Sequence, residues 1–282
     1  MRIAVLGLGR MGIAVATRLQ EGGHELTVWN RSSGRAKDLV ASGATEVDSP
    51  NEATAGAEVV ISSLANDDAV RDVATGPQGL LREIGQRTYV DASTISTALS
   101  AELADTSKRF VAMPILGAPQ AVREGKATYL AGGDAEQIDA LKPMLESLGG
   151  PVKRYDRPVM ATAAKLAVNL LLLSGIVTIA EALTVGRAGG LSDDQLGDLL
   201  GTSPMLAPGL KNRIEGIIDG AGPTWWTTTL AAKDARLAGE AAKGSAKDLR
   251  IAAAVQAAFQ AAVDSGYGSE DIIAVANLYR AD

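Results

Sequence analysis

Near its start the chain reads Gly7-Leu8-Gly9-Arg10-Met11-Gly12, a G-x-G-x-x-G run. The stretch before it, "RIAVL", is short, apolar and β-rich. The stretch it opens, "MGIAVATRLQEGG", has helical character and stops at glycines. In a chain with 31 glycines such a triplet arises by chance, so the glycines alone say little. A triplet that ends a strand and opens a helix is far more specific. There Gly7 permits the tight turn, Gly9 lets backbone approach a pyrophosphate, and Gly12 allows close helix–strand packing. The helix N-terminus adds N–H groups and the positive end of its dipole. Residues 7–12 are therefore candidate dinucleotide contacts: Gly7, Leu8, Gly9, Arg10, Met11 and Gly12.

Further strands are predicted at "HELTVWN", "EVVISSLA", "RTYVDAS", "RFVAMPIL" and "KATYLAGG". Helix-like segments such as "DAVRDVA" and "AEQIDALKPMLESLG" lie between or after them. This alternation argues for an α/β fold with a parallel sheet covered on both faces. After "GGPVKRYDRP" the β-branched runs cease, and Ala- and Leu-rich segments follow at 159–188, 192–200, 227–243 and 246–264. Pro204, Pro208 and Pro223 mark breaks between helices. The expected organisation is a Rossmann-type dinucleotide-binding domain at 1–157 and an all-α substrate and dimerisation domain at 158–282.

The end of the second strand selects the cofactor. An NAD site usually carries Asp or Glu about 20 residues after the glycines. Here Asn30, Arg31 and Ser32 stand at that point, followed by Ser33, Arg35 and Lys37. An acid would repel a 2′-phosphate, whereas an arginine binds it in a fork and stacks beside adenine. The expected cofactor is NADP(H), with Asn30, Arg31 and Ser32 as contacts. Ligands of open α/β sheets bind at the carboxyl ends of strands. That edge adds Leu64 and Ala65 along the cofactor, with Asn66 nearby, and Ser93 and Thr94 toward the nicotinamide. Ser96 reads as a helix cap.

Composition removes other chemistries. The chain has no Cys and a single His, His24, in a turn before a strand and expected at the surface. Thiolate, disulfide, iron–sulfur and multi-histidine metal sites are excluded, so no metal is expected. An acid–base catalyst must be Lys, Tyr, Asp or Glu. A net charge of −6 without a polybasic run argues against nucleic acid. "AAKLAVNLLLLSGIVTIAEAL", residues 163–183, is apolar enough to suggest a membrane span, but Ser174, Thr178 and Glu181 interrupt it. No basic flank or Trp/Tyr belt frames it. A cytoplasmic protein without membrane association is expected. Lys165 and Asn169 are four apart in this stretch and share one helix face. The wide apolar surface of their helix suggests a homodimer or higher homo-oligomer.

The chain resembles the β-hydroxyacid dehydrogenases over nearly its whole length. The motifs, in order, are "GLGRMG", "NR", "DAST" with its following Ile and Ser, "PILG", "KLAVN", "LAAKD" and "GYGSEDI". That family includes 3-hydroxyisobutyrate dehydrogenase and the glyoxylate/succinic semialdehyde reductases, and is akin to 6-phosphogluconate dehydrogenase. The resemblance implies an NADP(H)-dependent oxidoreductase acting on a small carbonyl or 3-hydroxy acid. It implies that Lys165 is the catalytic acid–base group, Asn169 a substrate-orienting amide and Thr94 a neighbour of the nicotinamide ribose. It also places Lys233 and Asp234 near the cofactor and the domain interface. We assign Lys233 to the cofactor, and Trp225 and Asp234 to the substrate.

The chain departs from the family at one point. The family pattern A-P-V-S-G-G is replaced here by Met113-Pro114-Ile115-Leu116-Gly117-Ala118. Leu116 stands where a serine hydroxyl helps bind a substrate carboxylate; backbone N–H groups of Gly117 and Ala118 remain available to an anion. These three are the remaining expected substrate contacts. The related imine reductases share a G-x-P pattern like "GAP" here but typically carry Asp or Tyr at the Lys165 position. Imine reduction is the enzymatic alternative. A non-catalytic NADP(H)-binding sensor or scaffold is the alternative of another class.

Overall fold

The computed structural model describes residues 1–243 and 248–280. The chain forms two compact units, Met1–Lys165 and the residues from Leu166 onward. The sequence places the division at 157/158, where strand-like segments cease. The compact units part further on, inside the helix that starts at Pro158. The physical reason is local: Ala161 and Ala164, in its first turns, pack into one apolar cluster of the sheet.

The first unit holds nine strands: β1 (Arg2–Leu6), β2 (Glu25–Trp29), β3 (Thr45–Glu46), β4 (Val59–Ser62), β5 (Thr88–Asp91), β6 (Phe110–Ala112), β7 (Ile115–Leu116), β8 (Thr128–Gly132) and β9 (Val152–Tyr155). Their order is β3-β2-β1-β4-β5-β6-β8-β7, with β9 on the other side of β8. From β3 to β6 all pairs are parallel. The helices are α1 (Arg10–Glu21), α2 (Lys37–Ala41), α3 (Pro50–Ala55), α4 (Asp67–Ala74), α5 (Thr97–Thr106), α6 (Pro119–Arg123), α7 (Ala135–Ala140), α8 (Lys142–Leu148) and the start of α9 (Pro158–Ala188). Alternation along β1 feeds two cores. Ile3 and Val5 join Leu19, Val28, Ile61 and Met144 on one face. Ala4 and Leu6 join Val60, Leu99, Leu103 and Phe110 on the other. Both faces of a parallel sheet are thus covered, as its apolar strands require.

Three expectations need correction. The sheet is not parallel throughout: β8 runs antiparallel to β6 and β7. The only helix between β7 and β8 is the five-residue α6, too short for the crossover that parallel neighbours require. "RFVAMPIL" is two strands rather than one, parted by Met113 and Pro114. Pro114 has no N–H to give a ladder. "AEQIDALKPMLESLG" is likewise two helices, broken at Leu141, because Pro143 takes the first turn of α8.

In the second unit, the rest of α9 is joined by α10 (Asp193–Thr202), α11 (Pro208–Lys211), α12 (Ile214–Asp219), α13 (Thr228–Ala241) and α14 (Arg250–Ala262). A capping box between Ser192 and Gln195 starts α10. The short α11 and α12 lie where the sequence showed only proline breaks. Of the segment expected at 246–264, residues 246 and 247 lie outside the described residues. Among the described residues α9 alone is long and apolar enough to cross a membrane by length and composition. Its Leu173, Ile176, Ile179, Ala180 and Leu183 are buried with Leu196, Ile217, Phe259 and Ile272 in the core of the helical unit.

Candidate active site

The strand order around β1 and β4 creates a switch point, where consecutive crossovers leave in opposite directions. The glycine loop lies there. Gly7 has φ +95°, a left-handed conformation suited to glycine. A Cβ on Gly7 would stand 2.4 Å from the Ser63 carbonyl oxygen, and one on Gly12 would stand 1.9 Å from the Gly7 oxygen. Both glycines are required by packing. Gly9 is different. It caps α1 in extended backbone at φ −69°, and a Cβ there would meet nothing within 4 Å. The fold does not need a glycine at position 9, but a dinucleotide pressing its pyrophosphate against the first turn of α1 does. The residues present therefore fit such a cofactor. Leu8 is fully buried, Met11 half-buried against the core, and Arg10 exposed at the helix start.

Asn30, expected among the cofactor contacts, is occupied as a brace. Its Oδ1 accepts from the Leu8 N–H at 2.8 Å, and its Nδ2 donates to the Ser32 carbonyl at 2.8 Å. One amide therefore couples the glycine loop to the turn after β2. Arg31, Ser32, Arg35 and Lys37 are exposed around that turn, and Gly34 completes it at φ +82°.

The loops after β4 and β5 are joined beneath their tips. Ser93 Oγ donates to Asp91 Oδ1 at 2.6 Å and accepts from the Leu64 N–H at 2.8 Å. The Ser93 hydroxyl, expected at the nicotinamide, also holds Leu64 in place. Leu64 is half-buried, and Ala65 and Asn66 are exposed. Asn66 caps α4 by accepting from the Ala69 N–H at 2.9 Å. Ser96 caps α5, as expected, by accepting from the Leu99 N–H at 3.0 Å. Thr94 lies between these two fixed points, on the half-exposed rim.

Lys165, on the second turn of α9, donates from Nζ to the main-chain oxygen of Ile115 in β7 at 2.6 Å. Its neighbour in that strand is Leu116, half-buried, and then Gly117 at φ +138°. A side chain at Gly117 would also crowd Ala121 at 3.1 Å. Ala118 ends the segment as the cap of α6. The ammonium is thus fixed beside the segment that departs from the family pattern.

Asn169 lies one turn past Lys165 on α9 and is 4% exposed. Its Nδ2 donates to Asp234 Oδ2 at 2.9 Å, and Asp234 is itself 3% exposed. Lys233 Nζ lies 3.0 Å from Asp234 Oδ1. Asp234, expected at the substrate, is a buried clamp on Asn169, a pairing that sequence spacing does not signal. Trp225 is 41% exposed, with the Arg213 guanidinium 5.2 Å from its ring centre. Its N–H donates to Asp271 Oδ2 at 2.7 Å; Asp271 belongs to the "GYGSEDI" run and also accepts from the Trp226 N–H. His24, expected at the surface, is half-buried at the turn between α1 and β2, with Nε2 2.8 Å from Ser147 Oγ. Burial, then the nearby amino terminus, lowers its pKa.

A Rossmann sheet with a glycine loop at its switch point, followed by a helical unit, has the build of a dinucleotide-binding protein. Comparison with known proteins narrows this to the NAD(P)-dependent oxidoreductases. Residues 2–159 match the NAD-binding domain of 6-phosphogluconate dehydrogenase, and residues 160–279 match the NAD-binding domain of NADP-dependent 3-hydroxyisobutyrate dehydrogenase. The oxidoreductase YfjR of Bacillus subtilis is 33% identical over 96% of this chain and 97% of its own. Glyoxylate/succinic semialdehyde reductase 1 of Arabidopsis thaliana is 31% identical over 98% of this chain and 97% of its own. Among solved structures, 3-hydroxyisobutyrate dehydrogenase from Salmonella typhimurium superposes with a TM-score of 0.85 at 24% identity, over 99% of both chains. An imine reductase from Pseudomonas sp. shares the fold at a TM-score of 0.65 and 23% identity, again over 99% of both chains. The chain belongs to the β-hydroxyacid dehydrogenase family, whose members act on CH–OH and C=O groups.

Proposed function

We propose that this protein is an NADP(H)-dependent oxidoreductase of a small carbonyl or 3-hydroxy-acid-type substrate, with Lys165 as its acid–base group. The observation that carries this reading is the Lys165 ammonium, held by the Ile115 carbonyl next to Leu116, in a chain whose single histidine is bonded to Ser147. The bound cofactor supplies or accepts the hydride. In reduction, Lys165 stabilises the negative charge that develops on the carbonyl oxygen and donates a proton to it, completing the alcohol. In oxidation, the neutral amine removes the hydroxyl proton. The bond to Ile115 fixes where the ammonium stands. Asn169 orients the substrate with an amide whose own orientation Asp234 sets.

NADP(H) over NAD(H) is supported by the exposed Arg31 and by the lack of an acid at position 30. Contacts from Leu64, Ala65, Thr94 and Lys233 complete the cofactor set in this reading. Leu116 favours a second one. Without a hydroxyl for a carboxylate, the segment 116–118 suits a bulkier carbonyl or an imine, so an imine reductase reaction is the alternative. We also propose a cytoplasmic homodimer. The exposed Val168, Leu171 and Val185 of α9 give it an apolar face to cover.

The test is a screen of NADPH oxidation with small aldehydes, keto acids, cyclic imines and amine–ketone mixtures, followed by kcat of Lys165→Met on the best substrate. Met keeps helix propensity and length. Turnover is expected to fall by about 10²–10⁴, the usual scale of general acid–base catalysis. A variant within a few-fold of wild type would remove Lys165 from the chemistry. Failure of every substrate despite tight NADPH binding would point to a sensor or scaffold.

A further inference from the structure

Four polar side chains lie where β4 and β5 end, among the most deeply buried polar groups of the chain. Ser62 and Tyr89 are 0% exposed, Asp91 1% and Ser93 5%. Ser62 Oγ donates to Asp91 Oδ1 at 2.6 Å, and so does Ser93 Oγ. The Ser93 N–H reaches the same oxygen at 3.2 Å. Ser62 has spent its only proton on Asp91, so the Tyr89 hydroxyl, 2.8 Å away, must donate to Ser62. The phenol is kept as a donor, because burial first and the nearby Asp91 charge second push its pKa well above the usual range. The proton order is therefore fixed: Tyr89 to Ser62 to Asp91, with Ser93 giving to Asp91 from the other side. Ser93 in turn holds the Leu64 N–H.

The surroundings are apolar. Tyr89 packs against Phe110 with ring centres 5.5 Å apart, in the cluster that holds Leu99 and Leu103. A carboxylate in such a place is costly, and apolar residues of similar volume stabilise a fold as well or better. What the carboxylate provides here is position. Asp91 ties the end of β4, through Ser62, to the loop after β5, through Ser93. Ser93 carries the tie on to Leu64 in the loop after β4.

We infer that Asp91, with Tyr89 and Ser62 behind it, is a positioning group that holds the loops at Leu64 and Thr94 in the shape the nicotinamide half of the cofactor requires. The inference rests on the dinucleotide reading above. None of the three side chains is assigned to touch the cofactor; they act through Ser93. Their effect is common to NADPH and NADH, unlike that of Arg31, because both cofactors share the nicotinamide end.

The experiment uses the full-length protein and two variants, Asp91→Asn and Tyr89→Phe. Dissociation constants for NADPH and NADH are read by fluorescence titration, at a temperature where thermal melts show each variant folded. Asp91→Asn should weaken both cofactors about tenfold, and Tyr89→Phe, nearly isosteric, about threefold. The ratio between the cofactors should stay unchanged, and KM for NADPH should rise more than kcat falls. If Asp91→Asn does not fold, Tyr89→Phe decides alone. Variants with lower melting temperatures but wild-type dissociation constants would overturn the inference and leave the network a structural one. If wild-type protein binds neither cofactor, the dinucleotide reading fails first and this inference fails with it.

Discussion

Gly9 and Gly12 stand three residues apart in one motif, yet the structure separates their roles sharply enough to test. Consider alanine at each. At Gly12 the new methyl would lie 1.9 Å from the Gly7 carbonyl oxygen. Helix α1 would have to retreat by about 1 Å or more to restore ordinary contact. Overpacking of this kind costs about 1–3 kcal/mol, occasionally more. In a chain of this size each kcal/mol lowers Tm by roughly 2–4 °C. At Gly9 the methyl meets nothing, and φ is −69°, which any residue adopts. Alanine there gains about 0.4–1 kcal/mol from a less flexible unfolded chain. It loses a comparable amount as a poorer helix cap. Stability should therefore stay within about 1 kcal/mol of wild type. The methyl would instead occupy the space where a pyrophosphate approaches the first turn of α1. NADPH affinity should fall by about tenfold or more, equivalent to about 1.4 kcal/mol. Thermal melts with and without NADPH, plus direct titration, read both quantities on the same samples. Gly9→Ala binding NADPH as tightly as wild type would refute the assignment of the open face to the cofactor. A large loss of stability in Gly9→Ala would refute the geometric separation itself.

Arg31→Ala should weaken NADPH markedly and leave NADH little changed in parallel titrations; equal losses would dismiss a 2′-phosphate role. Leu116→Ser restores a hydroxyl beside the held ammonium and should raise kcat/KM for small hydroxy or keto acids relative to bulkier carbonyls; an unchanged ratio would show that residue 116 does not read the substrate. Light scattering or sedimentation at micromolar concentration should give the mass of a dimer. Leu171→Glu, placed on a residue 73% exposed, should shift that mass toward the monomer without unfolding the chain. A wild-type monomer would defeat the homodimer proposal.

The parallel core of the sheet was legible because β1, β2, β4 and β5 are apolar runs bounded by turns, and the backbone of "GLGRMG" admits few alternatives. The elements without a sequence signal lack periodicity. β3 has two residues, and β9, "VKRY", is half charged, so neither announces itself against the loops around it. The break at Leu141 was signalled by Pro143 but was outweighed by the apolar pattern on both sides. At the candidate site, residue types were legible and their bonds were not. Asn30 is marked by its place after β2. Its partner Leu8 lies 22 residues away, and nothing in the sequence specifies that pairing. Ser93 and Asp234 follow the same pattern: each stands in a recognisable motif, and each bonds another side chain or loop that the motif does not name. Pairings across such distances arise only once the sheet or the helical unit is assembled.

The anchor of Lys165 is a main-chain carbonyl, and this bears on what substitution beside it can change. A carbonyl survives every substitution of its own side chain, so mutation at Ile115 or Leu116 does not delete the acceptor that fixes the ammonium. Residue 116 can vary in size and polarity while the Lys165 ammonium keeps its anchor. On the roles proposed for Lys165 and Leu116, proton transfer and substrate choice then answer to separate substitutions.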